Sequence, residues 1–198
     1  MRIRFALIAV VAALAVGAST MLSNRIGQSG TATPATTTSR AAAAVLDRPG
    51  SPPPPGLTPV ARRKPAPALR VTTFDGRTVT LDDFRGRPVV VNFFESWCGI
   101  CQVEQPDLTT VAGDFAGRVG FLGVSYRDTV AAGRAYQRRF EVPYPLANDP
   151  SGRTWARWRV PYQPVVVLVD RHGRVVERFD GGTTGGTLTA ALTYLLTE

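Results

Sequence analysis

The chain has 198 residues, with 23 basic and 15 acidic side chains, a formal net charge of +8 and two cysteines. This length allows one ordinary domain plus additional segments. Nucleic-acid binding needs a basic stripe with interleaved aromatic residues or a known motif. Here the basic residues are scattered along the chain, so we predict no nucleic-acid partner.

Residues 1–22 are typical of a targeting segment. Arg2 and Arg4 precede an uncharged apolar run at 5–18, and small residues follow, which is the order of a secretory signal. Extended to Leu22, the run approaches the ~18–20 residues of a membrane-spanning helix. The sequence therefore predicts either a cleaved signal peptide or an N-terminal membrane anchor. Either would place the protein at the outer face of the cytoplasmic membrane, in the periplasm or outside the cell, where disulfides can persist.

Residues 23–67 form a low-complexity segment rich in Ala, Thr and Pro, with an alanine run at 41–44 and a proline run at 52–55. Bulky apolar side chains are too few to offset the entropy lost on ordering, so we predict a disordered linker. The basic group Arg62-Arg63-Lys64 is interpreted as solvated linker charge. Attraction to anionic lipid near an anchor is the alternative.

Residues 68–198 have the regular apolar pattern of one α/β domain. Two runs are apolar on both alternations, as central buried strands are, and two further strand pairs are joined by hairpin turns. The central strands are expected at 88–94 and 119–124, and the hairpins at 69–81, with the turn Asp75-Gly76, and at 165–179. Helices are expected at about 98–112 with a kink at Pro106, at 129–140, at 154–158 and near the C-terminus. These helices can cover both faces of a mixed sheet.

Both cysteines lie in the segment Trp97-Cys98-Gly99-Ile100-Cys101, where a predicted strand ends and a predicted helix begins. A thiolate is the nucleophile of disulfide exchange, and a helix N-terminus lowers the thiol pKa. We therefore predict an exposed, activated Cys98 that attacks and a Cys101, one turn inward, that resolves the mixed disulfide. A structural bridge across so short a loop would add little stability.

Metal and haem sites are disfavoured by the same residues. A zinc site needs four ligands, and the chain offers two cysteines and one histidine, His172. Haem attachment needs CxxCH, but Gln102 follows Cys101. We expect no metal and no cofactor.

The segment 92–101 resembles the active-site segment of thioredoxin-like proteins. Glu104 and Pro106 extend it to the C-x-x-C-x-x-E-x-P pattern of the TlpA-like thiol–disulfide oxidoreductases, and residues 75–88 and 164–173 are similar to other parts of that family. These are exported or membrane-anchored proteins, many of which serve cytochrome c maturation. The resemblance covers about residue 69 to the C-terminus. It implies a thioredoxin-like fold, with a central mixed β-sheet flanked by helices and an N-terminal β-hairpin extension.

The resemblance also implies roles for residues around the dithiol. Pro164, rather than the nearby Pro161, matches the family's cis-proline, which with the preceding Gln163 contacts the substrate backbone. Glu104 matches the active-site glutamate that would accept or return the proton of the resolving thiol. Trp97 would shield the disulfide and shape the docking surface.

One position departs from thioredoxins proper, which have a buried aspartate in the place of Asn92. Asparagine cannot titrate, so this proton relay is absent and more weight falls on Glu104. Of the neighbouring residues, Glu95 is predicted to be a surface charge. Trp155, Trp158 and Tyr162 are interpreted first as packing residues, with a share in the substrate surface as the alternative.

These features predict an extracytoplasmic thiol–disulfide oxidoreductase that reduces protein disulfides and takes electrons from a membrane or extracytoplasmic thiol donor. A disulfide-forming oxidase of secreted proteins would use the same cysteines and is the main alternative. A copper-binding chaperone is a weaker one: two thiolates suit Cu(I), but the related copper proteins use C-x-x-x-C and an added histidine. The peroxiredoxin T-x-x-C pattern is missing.

Overall fold

The structure, a computed structural model, describes residues 54–198. The predicted targeting segment at 1–22 and most of the predicted linker at 23–67 lie outside the described residues. Among the helices that are described, none has the length and apolar character needed to cross a membrane.

Seven strands form one mixed sheet in the order β2-β1-β5-β4-β3-β6-β7. They are β1 (Arg70–Thr73), β2 (Thr78–Thr80), β3 (Val89–Phe93), β4 (Gly120–Ser125), β5 (Leu146–Asn148), β6 (Val165–Val169) and β7 (Val175–Asp180). The central strand β3 pairs in parallel with β4 and antiparallel with β6. The predicted hairpins β1–β2 and β6–β7 form the two edges of the sheet.

The helices lie close to where the sequence predicts them. They are α1 (Gly99–Asp114), α2 (Val130–Arg139), α3 (Arg153–Arg157) and α4 (Gly185–Leu195), with short 3-10 helices at Val60–Arg62 and Leu81–Phe84. Pro106 lies inside α1. The thioredoxin-like arrangement of a mixed sheet with flanking helices is thereby confirmed.

Two apolar clusters cover the two faces of the sheet, and successive residues of β3 contribute to opposite clusters. Val90 packs with residues of α1 and α4, whereas Val91 and Phe93 pack with Trp155 and Trp158 on the other face. All five residues of β3 are buried, as a strand apolar on both alternations should be. Trp155 and Trp158 are packing residues, with ring centroids 5.8 and 5.5 Å from that of Phe93.

The sequence pattern did not predict β5. This strand has three residues, Leu146–Asn148, which is too short for a periodicity to be recognised. It pairs in parallel with β4 and antiparallel with β1. It therefore joins the N-terminal hairpin to the central strands.

The last part of the predicted linker packs on the domain instead of being solvated. Leu57 is buried, and backbone hydrogen bonds join Thr58 to Val176 and Lys64 to Val175. Arg62 and Lys64 are exposed, as expected, but Arg63 is buried. The described domain therefore begins earlier than the expected boundary at residue 68.

Arg63 is buried because two carboxylates from distant parts of the chain meet it. Its Nη1 lies 2.6 Å from Glu198 Oε2 and 3.3 Å from Asp170 Oδ2. Burial alone would raise the pKa of Asp170, but hydrogen bonds from Arg174, the His172 N–H and Arg63 outweigh it and lower that pKa. The interpretation of Arg63 as solvated charge is therefore wrong. The sequence pattern around Arg63 did not reveal its partners, because they lie 107 and 135 residues away in sequence.

Candidate active site

Cys98 and Cys101 lie at the junction of β3 and α1 and form a disulfide, with their Cα atoms 5.2 Å apart. Cys98 is the N-cap of α1, and its Sγ accepts a hydrogen bond of 3.1 Å from the Cys101 N–H. At this position the positive end of the helix dipole and the free N–H groups favour a negative sulfur. Cys98 therefore occupies the position at which a helix N-terminus would favour a thiolate.

The expectation of an exposed Cys98 does not hold for this disulfide form. Its exposed fraction is 8%, against 2% for Cys101. The apolar side chains beside it in sequence are open instead. Trp97, Ile100 and Val103 are each more than half exposed, so an apolar surface borders the disulfide.

Glu104 lies on α1, three residues after Cys101, and is almost fully buried. Its Oε1 accepts a hydrogen bond of 2.7 Å from the Thr183 N–H, while Oε2 has no partner among the described residues. Burial raises the pKa of Glu104 to about 7; the Thr183 hydrogen bond opposes this shift and the nearby Asp107 carboxylate adds to it. The carboxyl group can therefore gain or lose a proton near neutral pH.

The peptide bond between Gln163 and Pro164 is cis. Pro164 is buried immediately before β6, and its carbonyl accepts a hydrogen bond of 2.9 Å from the Gly181 N–H. Because Val165 pairs with Phe93, Pro164 lies at the end of the sheet where the dithiol segment begins. Tyr162, expected first as a packing residue, is more than half exposed.

Glu104 and Pro164 meet at one glycine. A Cβ atom added to Gly182 would lie 3.1 Å from Glu104 Oε1 and 3.2 Å from Pro164 Cγ. The structure thus brings together the cis-proline and the titratable carboxylate, which are 60 residues apart in sequence. Both lie near the start of α1, where the disulfide is.

A buried polar network supports the disulfide from behind. The Tyr136 hydroxyl donates to the Cys101 carbonyl at 3.0 Å and lies 3.2 Å from Gln105 Oε1, and the Gln105 amide donates to the Tyr144 hydroxyl at 2.8 Å. Burial raises the pKa of both tyrosines, so both remain protonated. Sequence reasoning missed this network. Its one signal is Gln105, a polar residue four positions after Cys101 and hence on the same face of α1.

Asn92 is buried in β3, and its Oδ1 has no hydrogen-bond partner in the part of the chain that the structure describes. The amide thus leaves this position without a titrating group. Glu104 is the buried carboxylate nearest in sequence to the resolving cysteine.

Glu95 is not the surface charge that the sequence suggested. Its exposed fraction is 1%, and its carboxylate accepts hydrogen bonds from the Ser125 hydroxyl at 3.0 Å and from the Tyr126 and Arg127 N–H groups at 3.2 and 3.0 Å. These donors come from the end of β4 and the loop after it. The prediction failed because a neighbouring strand supplies the donors that make burial of the carboxylate tolerable.

His172 lies in the β6–β7 turn, where its N–H donates to Asp170 Oδ1. This turn is at the opposite end of β6 from Pro164. Between residues 54 and 198, no three His, Cys, Asp or Glu side chains are grouped so as to hold a metal ion.

A dithiol at the start of a helix that follows the central strand of such a sheet, beside a cis-proline, defines a thioredoxin-like thiol–disulfide oxidoreductase. The chain belongs to the AhpC/TSA family, whose family model matches residues 63–178.

The chain is similar in sequence and in structure to thiol–disulfide oxidoreductases. The chain is 32% identical over 136 residues to the thiol:disulfide interchange protein HelX of Rhodobacter capsulatus, covering 67% of this chain and 76% of that protein. It is 27% identical over 122 residues to the thiol–disulfide oxidoreductase ResA of Bacillus thuringiensis, covering 61% of this chain and 70% of that protein. Among solved structures, a secreted Mycobacterium tuberculosis disulfide oxidoreductase homologous to E. coli DsbE is similar with a TM-score of 0.57 and 28% identity, covering 63% of this chain and 93% of that one. The thiol–disulfide oxidoreductase activity predicted from the sequence is thereby confirmed.

Proposed function

We propose that this protein reduces disulfides of client proteins outside the cytoplasm, with Cys98 as the attacking and Cys101 as the resolving cysteine. The observation that carries the proposal is the position of Cys98 as the N-cap of α1, with Cys101 one turn further and more deeply buried. A thiolate is favoured at the first position and shielded at the second.

The proposed reaction has two exchange steps. The Cys98 thiolate attacks a client disulfide, so that a bond forms between Cys98 and one client sulfur while the other client sulfur leaves as a thiolate. The Cys101 thiolate then attacks Cys98 Sγ, breaks the bond to the client sulfur that Cys98 holds, releases that sulfur as a thiolate and forms the Cys98–Cys101 disulfide. The client gains two electrons, and a thiol electron donor must return two to the protein.

Glu104 is proposed to take the proton of the Cys101 thiol in the second step. Two observations support this role. The carboxylate is buried one helical turn after Cys101, and its pKa of about 7 suits proton transfer at neutral pH. When the donor reduces the disulfide, Glu104 returns the proton.

Trp97, Gln163 and Pro164 are proposed to bind the client. Gln163 and Pro164 lie at the start of β6, next to the end of β3, where a client backbone could lie beside the dithiol. Trp97, together with Ile100 and Val103, offers exposed apolar area to the residues that flank the client cysteine. Removal of such area from water on docking favours the complex.

The proposed location is outside the cytoplasm, and a solved structure similar to this one is described as that of a secreted protein. Residues 1–22 are proposed to be a signal peptide or membrane anchor. The linker is proposed to end near residue 56, before the buried Leu57. The family resemblance points to cytochrome c maturation as the first process in which to seek clients.

The decisive experiment is a trapping assay with Cys101→Ser. Without the resolving cysteine the mixed disulfide should persist, so covalent adducts with client proteins should accumulate and dissolve on treatment with a reductant. Cys98→Ser, which lacks the attacking thiol, is the matched control and should give none. Absence of adducts, together with no dithiol-dependent reduction of a model disulfide, would refute the proposal.

The direction of electron flow needs a second measurement. Potentials in this fold range from about −270 to −120 mV. A potential near the negative limit, with the dithiol reduced in cells, supports the reductase. A potential near the positive limit, with the dithiol oxidised in cells, would favour the disulfide-forming oxidase.

A further inference from the structure

Two buried carboxylates hold the segment that precedes the attacking cysteine. Glu95 accepts hydrogen bonds from three donors, the Ser125 hydroxyl and the Tyr126 and Arg127 N–H groups. Asp128 accepts hydrogen bonds from the N–H and the hydroxyl of Ser96, 2.8 and 2.5 Å long. We call the side chains of Glu95, Ser96, Ser125 and Asp128 the acidic clamp; it joins the β3–α1 loop to the β4–α2 loop.

The acidic clamp buries two carboxylates that have no cationic partner among the described residues. Glu95 and Asp128 are 1% and 7% exposed, and neither forms an ion pair with a cation in residues 54–198. Burial raises the pKa of Glu95, and the charge of Asp128 adds to this shift, whereas the hydrogen bonds from Arg127, Ser125 and Tyr126 oppose it. Because hydrogen bonds from two loops, and no ion pair, hold both carboxylates, the arrangement is suited to fixing the geometry of the loops that it joins.

The clamp connects directly to the dithiol through the backbone. The Glu95 carbonyl accepts a hydrogen bond of 3.1 Å from the Cys98 N–H, and the Ser96 carbonyl accepts one of 2.8 Å from the Gln102 side chain. Glu95 and Ser96, whose side chains belong to the clamp, thus also bind Cys98 and the first turn of α1 through their backbone carbonyls.

We propose that Glu95 is a positioning residue, which through the acidic clamp fixes the β3–α1 loop so that Cys98 caps α1. The proposal goes beyond the proposed function, since it applies whether the dithiol gives or takes electrons. It concerns the pKa and reactivity of one thiol, which are measured without a client protein. Its failure is therefore distinguishable from failure of the reductase proposal.

The test compares Glu95→Gln with Glu95→Ala. Gln keeps an oxygen for the Tyr126 and Arg127 N–H groups, and its amide can donate to the Ser125 hydroxyl, so it preserves the hydrogen bonds while it removes the charge. Ala removes both. Asp114→Ala, which replaces an exposed carboxylate at the far end of α1, is the matched control.

The measured quantity is the rate at which iodoacetamide alkylates Cys98 in the reduced protein between pH 4 and pH 10, with circular dichroism to show that each variant is folded. Wild type, Asp114→Ala and Glu95→Gln should have the same midpoint and rates within about twofold. Glu95→Ala should move the midpoint toward the ~8.5 of a free cysteine. For every pH unit by which the midpoint rises, the thiolate fraction at a pH below the midpoint falls about tenfold.

Two results would overturn the proposal. If Glu95→Gln shifts the profile as much as Glu95→Ala, the charge and not the hydrogen bonding matters. If Glu95→Ala keeps the wild-type profile, Glu95 positions nothing. Should Glu95→Ala fail to fold, Ser96→Ala replaces it, because it deletes only the hydroxyl that donates to Asp128. A shift in the same direction then supports the clamp, and an unchanged profile refutes it.

Discussion

The buried carboxyl group of Glu104 makes a quantitative prediction about stability and pH. The change is Glu104→Gln, which keeps an oxygen for the 2.7 Å hydrogen bond from the Thr183 N–H and cannot ionise. Wild-type Glu104 has a pKa raised from 4.5 to about 7 by burial. The wild-type protein should therefore lose stability with rising pH in a way that the variant does not.

The expected magnitude follows from linkage between protonation and folding. Below pH 4.5 the group is protonated in both the folded and the unfolded chain, and its contribution to stability is fully present. As the pH rises through the folded pKa of about 7, the unfolded chain is favoured because it ionises more readily. At ~1.4 kcal/mol for each unit of pKa, the loss approaches ~3 kcal/mol at high pH, and ~2.5 kcal/mol of it falls between pH 5 and pH 8.

The assay is urea unfolding of the oxidised protein at pH 5, 6, 7 and 8. The stability difference between Glu104→Gln and wild type should move by ~2.5 kcal/mol in favour of the variant over this interval. A pH-independent effect of the amide on the free energy of unfolding would shift all four values equally and would not alter this pH-dependent change. Glu141→Gln, at an exposed carboxylate, is the control and should follow wild type. A Glu104→Gln difference that stays constant with pH would refute the assignment of a raised pKa, and with it the proton-transfer role.

Three further predictions concern the docking surface, the ion pairs of Arg63 and the apolar core. Val103→Lys should lower kcat/KM for clients with apolar residues beside the cysteine by about tenfold, since burying a valine contributes ~1.5 kcal/mol. The control Val130→Lys on α2 should have no effect, and equal kcat/KM values for Val103→Lys and wild type would exclude Val103 from the docking surface. Asp170→Asn should cost ~1.5–3 kcal/mol in urea unfolding at pH 7, because Arg63 and Arg174 lose a charged hydrogen-bond acceptor while Arg63 keeps Glu198. Because the pKa of Asp170 is lowered in the folded protein from 3.8, this cost should fade as the pH drops below 3.8, and a cost independent of pH would contradict the prediction. Gly133→Ala should lower the free energy of unfolding by ~1–3 kcal/mol, because the new Cβ would lie 2.1 Å from the buried Phe74 ring; an unchanged stability would show that the ring moves freely.

Much of the fold could be predicted because its signals are local. The apolar run of β3, the turn Asp75-Gly76 and the start of α1 at the dithiol are each encoded within a few neighbouring residues. Pro164 was identified by its resemblance to a family position and not by any rule of local structure. The short strand β5 has no local signal, because three residues do not establish a period.

The burial of charged residues could not be predicted, because it depends on partners remote in sequence. Glu95 looks like a loop charge until the end of β4, 30 residues later, supplies its donors. Arg63 looks like linker charge until Asp170 and Glu198 meet it. A charged residue next to an apolar strand has no intrinsic preference strong enough to reveal which of these environments it will find.

The ion pairs of Arg63 and the dithiol lie at opposite ends of the sheet. Asp170 follows the last residue of β6, whereas Pro164 precedes its first, and a strand of five residues spans ~17 Å. The N-terminal segment is therefore fastened at one end of the sheet while the dithiol faces out from the other. A linker attached at that end would leave the opposite end, which carries the dithiol, accessible to folded client proteins.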